Sequence, residues 1–284
     1  MTIVAGLAEL VARALAEDLG PVGDITSSLL PADLAGAASL VPRADGVLAG
    51  RAAADEVFAQ VDAAISVAWR AADGDALVAR TPFARVEGPL ASILTAERTA
   101  LNFLGHLSGI ATLTRRYVDA VAGTKTAIRD TRKTTPGLRA LEKAAVRAGG
   151  GVNHRGSLSD AVLVKDNHLG GLSVDEAVAR ARRQWPGRTV QIECDTIDQV
   201  KAALVVRADL VLLDNMSPDE VAACVELVAG LRGPNAAASP CLVEVSGGVT
   251  LDTAAAYAAA GADLVSVGAI THSAPVLDIG LDLD

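Results

Sequence analysis

Apolar and polar positions follow two different rhythms along this chain, and the change falls near residue 126. Residues 2–19 carry apolar positions at helical spacing and stop at Gly20-Pro21, which predicts an amphipathic helix. Gly23-Asp24-Ile25-Thr26 predicts a turn, with Asp24 as its cap or turn former rather than as a reactive group. Short β runs then alternate with turns at 38–41, 46–50, 65–69 and 76–79, interrupted by a helix over 51–61. Pro89 stands where a helix can begin, and apolar residues recur at helical spacing to about Val121. These elements predict a small N-terminal α+β domain with a linking helix over residues 1–112. His106 on that helix is expected as a hydrogen-bonded core or interface residue, not as a ligand.

After residue 126 the pattern becomes βα units. Apolar runs at 126–128, 161–164, 189–192, 208–213, 241–245 and 263–267 are separated by helical stretches at 137–148, 173–185, 196–206, 218–231 and 252–260. Strands alternating with helices predict a parallel α/β barrel, complete or open, over 113–273. Polar residues follow every run: Arg132-Lys133, Lys165-Asp166-Asn167, Glu193-Cys194-Asp195, Asp214-Asn215, Ser246-Gly247-Gly248 and Gly268-Ala269. One polar pair after one strand means little, but six in succession mark the face where such barrels carry their active sites.

Composition narrows the class. Half of the 284 residues are apolar and only seven are aromatic, so the core must be Ala, Val and Leu, which suits helices packed on a parallel sheet. No apolar run reaches eighteen residues and no basic region precedes a hydrophobic stretch at the N-terminus, so a cytoplasmic protein is expected, without a membrane partner. Cys194, Cys224 and Cys241 are far apart and lack metal or redox spacing; they are expected as buried thiols. The net charge of −9 and the scarcity of aromatics argue against nucleic acid as partner.

That acidity hides a local reversal. Residues 125–165 hold nine cations against three acids, +6 in all, so the remainder sums to −15. A solvated helix face explains Lys143 and Arg147, but not Arg132, Lys133 and Lys165, which stand beyond apolar runs where a small polyanion would bind. Charges are screened within roughly 8 Å at physiological salt, so this cluster outweighs the distant net charge.

Three chemical sets follow. Arg132, Lys133, Arg155 and Lys165, with His154, can hold carboxylates or a pyrophosphate. Glu193 and Asp214 can serve Mg²⁺, grip sugar hydroxyls, or balance the basic set. The turns Ser246-Gly247-Gly248 and Val267-Gly268-Ala269 can cradle a phosphate with backbone N–H groups. No Ser/His/acid triad, activated cysteine or HExxH motif is present. These features together point to transfer of a phosphoribosyl group to an acidic heterocycle.

From about Glu17 to Asp282 the chain resembles the quinolinate phosphoribosyltransferase family. The carrying motifs are Glu97-Arg98-Thr99 with Leu101-Asn102, Ser108-Gly109-Ile110-Ala111-Thr112, Thr131-Arg132-Lys133-Thr134, Gly149-Gly150-Gly151-Val152-Asn153-His154-Arg155, Lys165-Asp166-Asn167-His168, Leu213-Asp214-Asn215-Met216, Ser246-Gly247-Gly248 and Gly268-Ala269-Ile270-Thr271-His272-Ser273. The resemblance implies an open, TIM-like barrel with a smaller N-terminal domain, and a C-terminal segment, 274–284, that returns to that domain. It implies the decarboxylating transfer that makes nicotinate mononucleotide for NAD, from quinolinate and phosphoribosyl pyrophosphate. Quinolinate would be held by Arg132, His154, Arg155 and Lys165, with Thr131 nearby and Arg98 supplied by the partner of a homodimer, or of a trimer of dimers. Lys133 and Lys165 would meet the pyrophosphate, and Lys133, Lys165, Glu193 and Asp214 would be the catalytic group. Glu193 and Asp214 would hold ribose and Mg²⁺. Ser246, Gly247, Gly248, Val267, Gly268 and Ala269, near His272, would take the 5′-phosphate.

The chain departs from the family at Gly156-Ser157-Leu158, where Leu-Gly-Leu is usual, and at Cys194 and Val245 beside site residues. Two rivals remain. A related pyrophosphorylase-type protein of metal-transport operons would lack the Lys165–His168 run. A non-catalytic barrel sensing a phosphorylated ligand would lose either the cationic or the acidic set, and this chain has both.

Overall fold

The computed structural model describes residues 6–230 and 241–284. In chain order, helix α1 (Leu7–Leu19) leads through a one-turn 3₁₀ segment (Ser27–Leu29) to β1 (Ala35–Pro42) and β2 (Gly46–Val47). Then come α2 (Arg51–Val61), β3 (Ser66–Trp69), β4 (Ala76–Leu77), β5 (Ala84–Pro89) and the long helix α3 (Leu90–Ala120). The βα region consists of β6 (Ala127–Arg129), α4 (Arg139–Ala148), β7 (Val162–Val164), α5 (Asp166–Leu169), α6 (Val174–Gln184), β8 (Val190–Cys194), α7 (Ile197–Val205) and β9 (Leu210–Asp214). It continues with α8 (Pro218–Gly230), β10 (Leu242–Ser246), α9 (Leu251–Ala259), β11 (Leu264–Ser266) and α10 (Ala269–His272), and the chain ends in β12 (Ile279–Leu283). Two compact units result: residues 1–115 with 134–150 and 269–284, and residues 116–133 with 151–268. The division falls inside α3.

The first unit is built on a four-stranded antiparallel sheet in the order β12-β1-β5-β3. Its C-terminal strand pairs Ile279 with Pro42 and Leu283 with Ala38, so the chain's last residues complete the first sheet. Helix α1 buries Val11 and Leu15, one turn apart, and packs on α2. Phe58, Leu40, Leu48, Ile93, Leu104, Leu107 and Ile110 are fully buried in this unit.

The Ser108–Thr112 motif is structural. Ser108 Oγ accepts the N–H of Ala49 at 3.0 Å and donates to its carbonyl at 3.2 Å, and Thr112 Oγ1 accepts the N–H of Val47 at 2.9 Å. Between them Gly109 lets the 275–277 segment lie on α3: a Cβ there would sit 2.1 Å from the Pro275 carbonyl oxygen. Leu277 donates to the Gly105 carbonyl at 3.0 Å in the same contact. His106 Nε2 lies 2.8 Å from Oε1 of the buried Glu142, so the half-buried ring is hydrogen-bonded, as expected. Asp24 is likewise a turn former: its Oδ1 accepts the N–H groups of Thr26 and Ser27, each at 2.9 Å.

The second unit is a six-stranded parallel sheet in the order β6-β11-β10-β9-β8-β7. β6 and β7 stand at opposite ends of this order, so the barrel is open. All six predicted barrel strands are present, shifted by one or two residues. Capping boxes start two of the helices, Ser173 with Glu176 for α6 and Thr196 with Gln199 for α7, the latter immediately beyond β8. Among the described residues no helix is long and apolar enough to cross a membrane.

Several expectations need correction. β5 was not expected, although it is central to the first sheet, and Pro89 ends that strand instead of opening α3. The β run predicted at 46–50 is only Gly46–Val47, because Leu48 and Ala49 bond individually to the Asp75 carbonyl and to Ser108. The four-residue helices α5 and α10 were also missed. Cys194 and Cys224 are buried, but Cys241, just before the start of β10, is only half-buried. Residues 2–5 of the first predicted helix and residue 231 of another lie outside the described residues.

Candidate active site

The register of the parallel sheet decides which strand residues share a face. Glu193 on β8, Leu212 on β9 and Glu244 on β10 form one row across the sheet. Two residues further along, Asp214 pairs with Ser246. Side chains alternate along a strand, so Glu193, Glu244, Asp214 and Ser246 all project from one face. The predicted acidic pair is therefore on neighbouring strands, one pleat apart, at their C-terminal ends.

The basic set is held by two loops beside β6. After Arg129 the chain turns at Asp130, whose carboxylate is fully buried and accepts the His154 N–H at 2.7 Å and the Asn153 side-chain amide at 2.6 Å. Val152 bridges Arg129 as one further rung, so the glycine-rich stretch 149–155 is stitched to the sheet edge. Thr131 Oγ1 accepts the Lys133 N–H at 3.0 Å and closes the turn that carries Arg132.

Arg155 then comes close enough to Arg132 for the two cations to oppose each other. Burial, with the Arg132 charge second, pushes Arg155 below its ordinary pKa. The Arg155 Nε is buried and has no hydrogen-bond partner, while one terminal nitrogen donates to the Ala161 carbonyl at 3.1 Å. Beyond it, Gly156-Ser157 is ordered by Asp160, which accepts both backbone N–H groups, at 2.6 and 3.1 Å. The departure from the family pattern is thus a loop closed on an aspartate.

Across the sheet, Lys165 caps α5 and its Nζ lies 2.5 Å from Glu193 Oε2. Asp214 receives the Asn215 side-chain amide at 2.9 Å. Asn215 has φ +57° and donates its N–H to the Ser246 carbonyl, which ties the acidic strand end to the glycine turn. Gly247 and Gly248 turn there with φ of +93° and +58°, values that favour glycine. Val267 is buried at the end of β11 and donates to the Arg129 carbonyl at 2.8 Å, which leaves Gly268 at the rim.

Three expected residues are carried by the other unit. Arg98 is exposed on α3, Ala269 opens α10, and His272 is exposed with Nδ1 2.6 Å from Ser273 Oγ. The carboxylates Glu193 and Asp214 are hard oxygen donors, and no group of three or more His, Cys, Asp or Glu that could hold a metal occurs among the described residues. That donor set fits Mg²⁺, which keeps several waters and takes one or two carboxylates together with substrate phosphates.

The residues missed in the sequence lie one layer below the rim. Gln191, Glu244, Ser266 and Arg129 meet inside the sheet: Arg129 Nη1 is 2.8 Å and Gln191 Nε2 is 2.6 Å from Glu244 Oε2, and Ser266 Oγ bonds Oε1. Their signal was a polar residue two positions before a rim residue in an apolar strand, as in Gln191 before Glu193 and Glu244 before Ser246.

The strand ends of this open α/β barrel thus carry cations suited to carboxylates, two acids, and a glycine turn suited to a phosphate. Comparison gives the family: the chain belongs to the quinolinate phosphoribosyltransferases, whose N-terminal domain model matches residues 24–108 and whose C-terminal domain model matches residues 110–282. It is 46% identical to the nicotinate-nucleotide pyrophosphorylase (carboxylating) of Mycobacterium leprae, over 96% of this chain and 95% of that one. The probable enzyme of that name from Bacillus subtilis is 39% identical over 94% of this chain and 90% of its own length. Among solved structures, the nicotinate-nucleotide pyrophosphorylase of Francisella tularensis superposes with a TM-score of 0.92 at 37% identity, covering 100% of this chain and 98% of that one.

Proposed function

We propose that this chain catalyses phosphoribosyl transfer from phosphoribosyl pyrophosphate to quinolinate with loss of CO₂, giving nicotinate mononucleotide and pyrophosphate for NAD biosynthesis. The observation that carries this reading is the opposition of Arg132 and Arg155, with a buried Arg155 Nε that no protein acceptor meets. A buried donor without an acceptor costs about 1–3 kcal/mol, and like charges add to that, so a planar dianion is the complement. Quinolinate carries two carboxylates side by side, and His154 adjoins Arg155; Lys165 would supply a further cation from the end of β7.

The chain's other residues serve the second substrate. Ser246, Gly247, Gly248 and Gly268 offer backbone N–H groups to the 5′-phosphate, with Val267 and Ala269 flanking them and His272 close in sequence. Glu193 and Asp214 hold the ribose hydroxyls and Mg²⁺, with Lys133 and Lys165 directed to the pyrophosphate. When bound, the ion supplies charge neutralisation of the departing pyrophosphate. The pyridine nitrogen is already a nucleophile, so no side chain must deprotonate it. Positive charge develops on the ribose as the leaving group departs, and the fixed carboxylates Glu193 and Asp214 lower that barrier. Once ribosylated, the ring nitrogen is cationic and accepts the electron pair left as the 2-carboxylate departs as CO₂. The site needs to hold two carboxylates still, not to shuttle protons, which agrees with the absence of a nucleophilic triad.

The active form is a homodimer in which Arg98 of each chain completes the partner's site. Arg98 is exposed on α3 and makes no ion pair among the described residues. Incubation with quinolinate, phosphoribosyl pyrophosphate and Mg²⁺ should yield nicotinate mononucleotide, pyrophosphate and CO₂. Nicotinate, which lacks the 2-carboxylate, should not react, because it leaves a buried cation unpaired. Comparable turnover of nicotinate would overturn the reading.

A further inference from the structure

One buried acid is used by none of these roles. Glu244 has no exposed surface, yet four elements converge on its carboxylate. Arg129 and Gln191 share Oε2, at 2.8 and 2.6 Å, while Ser266 and the His154 ring share Oε1, the ring at 3.5 Å. A charge buried to this depth persists only if it is fully partnered, so the geometry of its neighbours is fixed with it.

Two of those neighbours lead to the cationic loop. Arg129 spends a second donor, Nε, on the Asn153 carbonyl at 3.3 Å. His154 Nδ1 accepts the N–H of Arg155 at 2.8 Å. A nitrogen that accepts carries no proton, so the ring proton sits on Nε2, which faces Glu244. The ring is thereby a strut with a carboxylate at one end and the Arg155 backbone at the other. Asp130 holds the same loop from the β6 side, through the His154 N–H and the Asn153 amide.

We propose that Glu244 is a positioning residue of the transfer site: it holds the His154 ring as the Nε2–H tautomer and, through that ring and Arg129, sets where the Arg155 guanidinium stands. The kinetic part rests on the reading that Arg155 grips quinolinate; the tautomer does not. The test uses full-length protein labelled with ¹⁵N-histidine, whose His154 resonances are assigned from His154→Gln.

Wild type should show Nε2 with the shift of a protonated ring nitrogen and Nδ1 with that of a bare one at neutral pH. A protonated Nδ1 overturns the proposal, whether or not the enzyme turns over. In Glu244→Gln, which keeps the side chain's size, the single tautomer should be lost. The KM for quinolinate should then rise at least about tenfold while that for phosphoribosyl pyrophosphate stays within about twofold, as expected when a substrate cation is displaced by a fraction of an ångström. Equal changes in both KM values would make Glu244 a stability residue only and refute the positioning role. If Glu244→Gln does not fold, Glu244→Asp, which keeps the charge but draws it back from the ring, must show the same one-sided rise. Failure of wild type to use quinolinate at all would remove the functional reading and leave the tautomer result standing.

Discussion

Replacing Gly247 by alanine probes the glycine turn with a control one residue away. A Cβ on Gly247 would lie 2.3 Å from Asn215 Oδ1 and 2.8 Å from Asn215 N, closer than such atoms approach. Asn215 must therefore move, and it cannot do so while keeping both its N–H bond to the Ser246 carbonyl and its amide bond to Asp214. Two hydrogen bonds at about 1 kcal/mol each, plus about 1–2 kcal/mol for an L-residue in the left-handed region, give a loss of roughly 3–4 kcal/mol. Gly248 also has φ positive, at +58°, but nothing lies within 4 Å of its Cβ position. Gly248→Ala should cost only the backbone part, about 1–2 kcal/mol. Denaturant unfolding of both variants measures the difference, and calorimetric titration measures its functional side. Gly247→Ala, with Asp214 no longer oriented, should bind phosphoribosyl pyrophosphate at least about tenfold more weakly, one broken charged contact's worth, while quinolinate binding is kept. Equal stabilities and equal affinities in the two variants would show that the Asn215 clamp plays no part.

The other predictions concern assembly, thiols and acid. Arg98→Ala should cost 2 kcal/mol or more (~30-fold) in kcat/KM if the residue clamps a carboxylate in trans, against about 1 kcal/mol or less for a surface ion pair; mixing it with Lys165→Ala under subunit exchange should restore up to about a quarter of wild-type activity by random two-fold pairing, and no restoration despite proven exchange would refute the shared site. Iodoacetamide on the folded protein should label Cys241 first, because burial pushes the Cys194 thiol up to about 12 and raises that of Cys224 as well; peptide mapping that finds Cys194 modified as fast as Cys241 would count against the buried environment. Asp24 is held down from 3.8 to about 2, first by its bond to the Ser27 side chain, so the carboxylate stabilises the fold above pH 3.8 and that contribution is lost as pH falls through 2. Asp24→Ala should therefore lower stability by about 1 kcal/mol at neutral pH, and thermal melts should show the gap closing in acid.

The sequence disclosed the second unit more fully than the first, for a physical reason. A parallel strand is buried on both faces, so β9 stands out as a continuous apolar run, Leu210 to Leu213, and is followed by a helix. β5 is half-solvated and reads Ala-Arg-Val-Glu-Gly-Pro; only Ala84 and Val86 are buried in it, too short an alternation to separate from a turn. The helices α5 and α10 have four residues each, about one turn, which is below the length at which a 3.6-residue period can be recognised. The rim was legible because polar residues there interrupt apolar runs. The layer beneath it was not, since Gln191, Glu244 and Ser266 are single polar positions whose meaning depends on which strands lie side by side.

The acids inside the basic segment show how that rim is kept electropositive. Asp130, Glu142 and Asp160 are the only carboxylates among residues 125–165, and each spends oxygens on backbone N–H groups of a loop. Asp130 takes that of His154, Glu142 takes that of Thr135 beside its bond to His106, and Asp160 takes those of Gly156 and Ser157. Their role is to anchor the loops on which the cations stand. Burial and the Arg132 charge both disfavour the charged Arg155 guanidinium, while Asp130 and Asp160 fix the loop that carries it. On the proposed function, a dianion that binds there meets donors already in place and removes an unfavourable term at the same time, so the binding energy is not spent on ordering the site. On the same proposal, the place of Glu244 below the rim lets it fix His154 and Arg129 without competing with a substrate for the charge of Arg155.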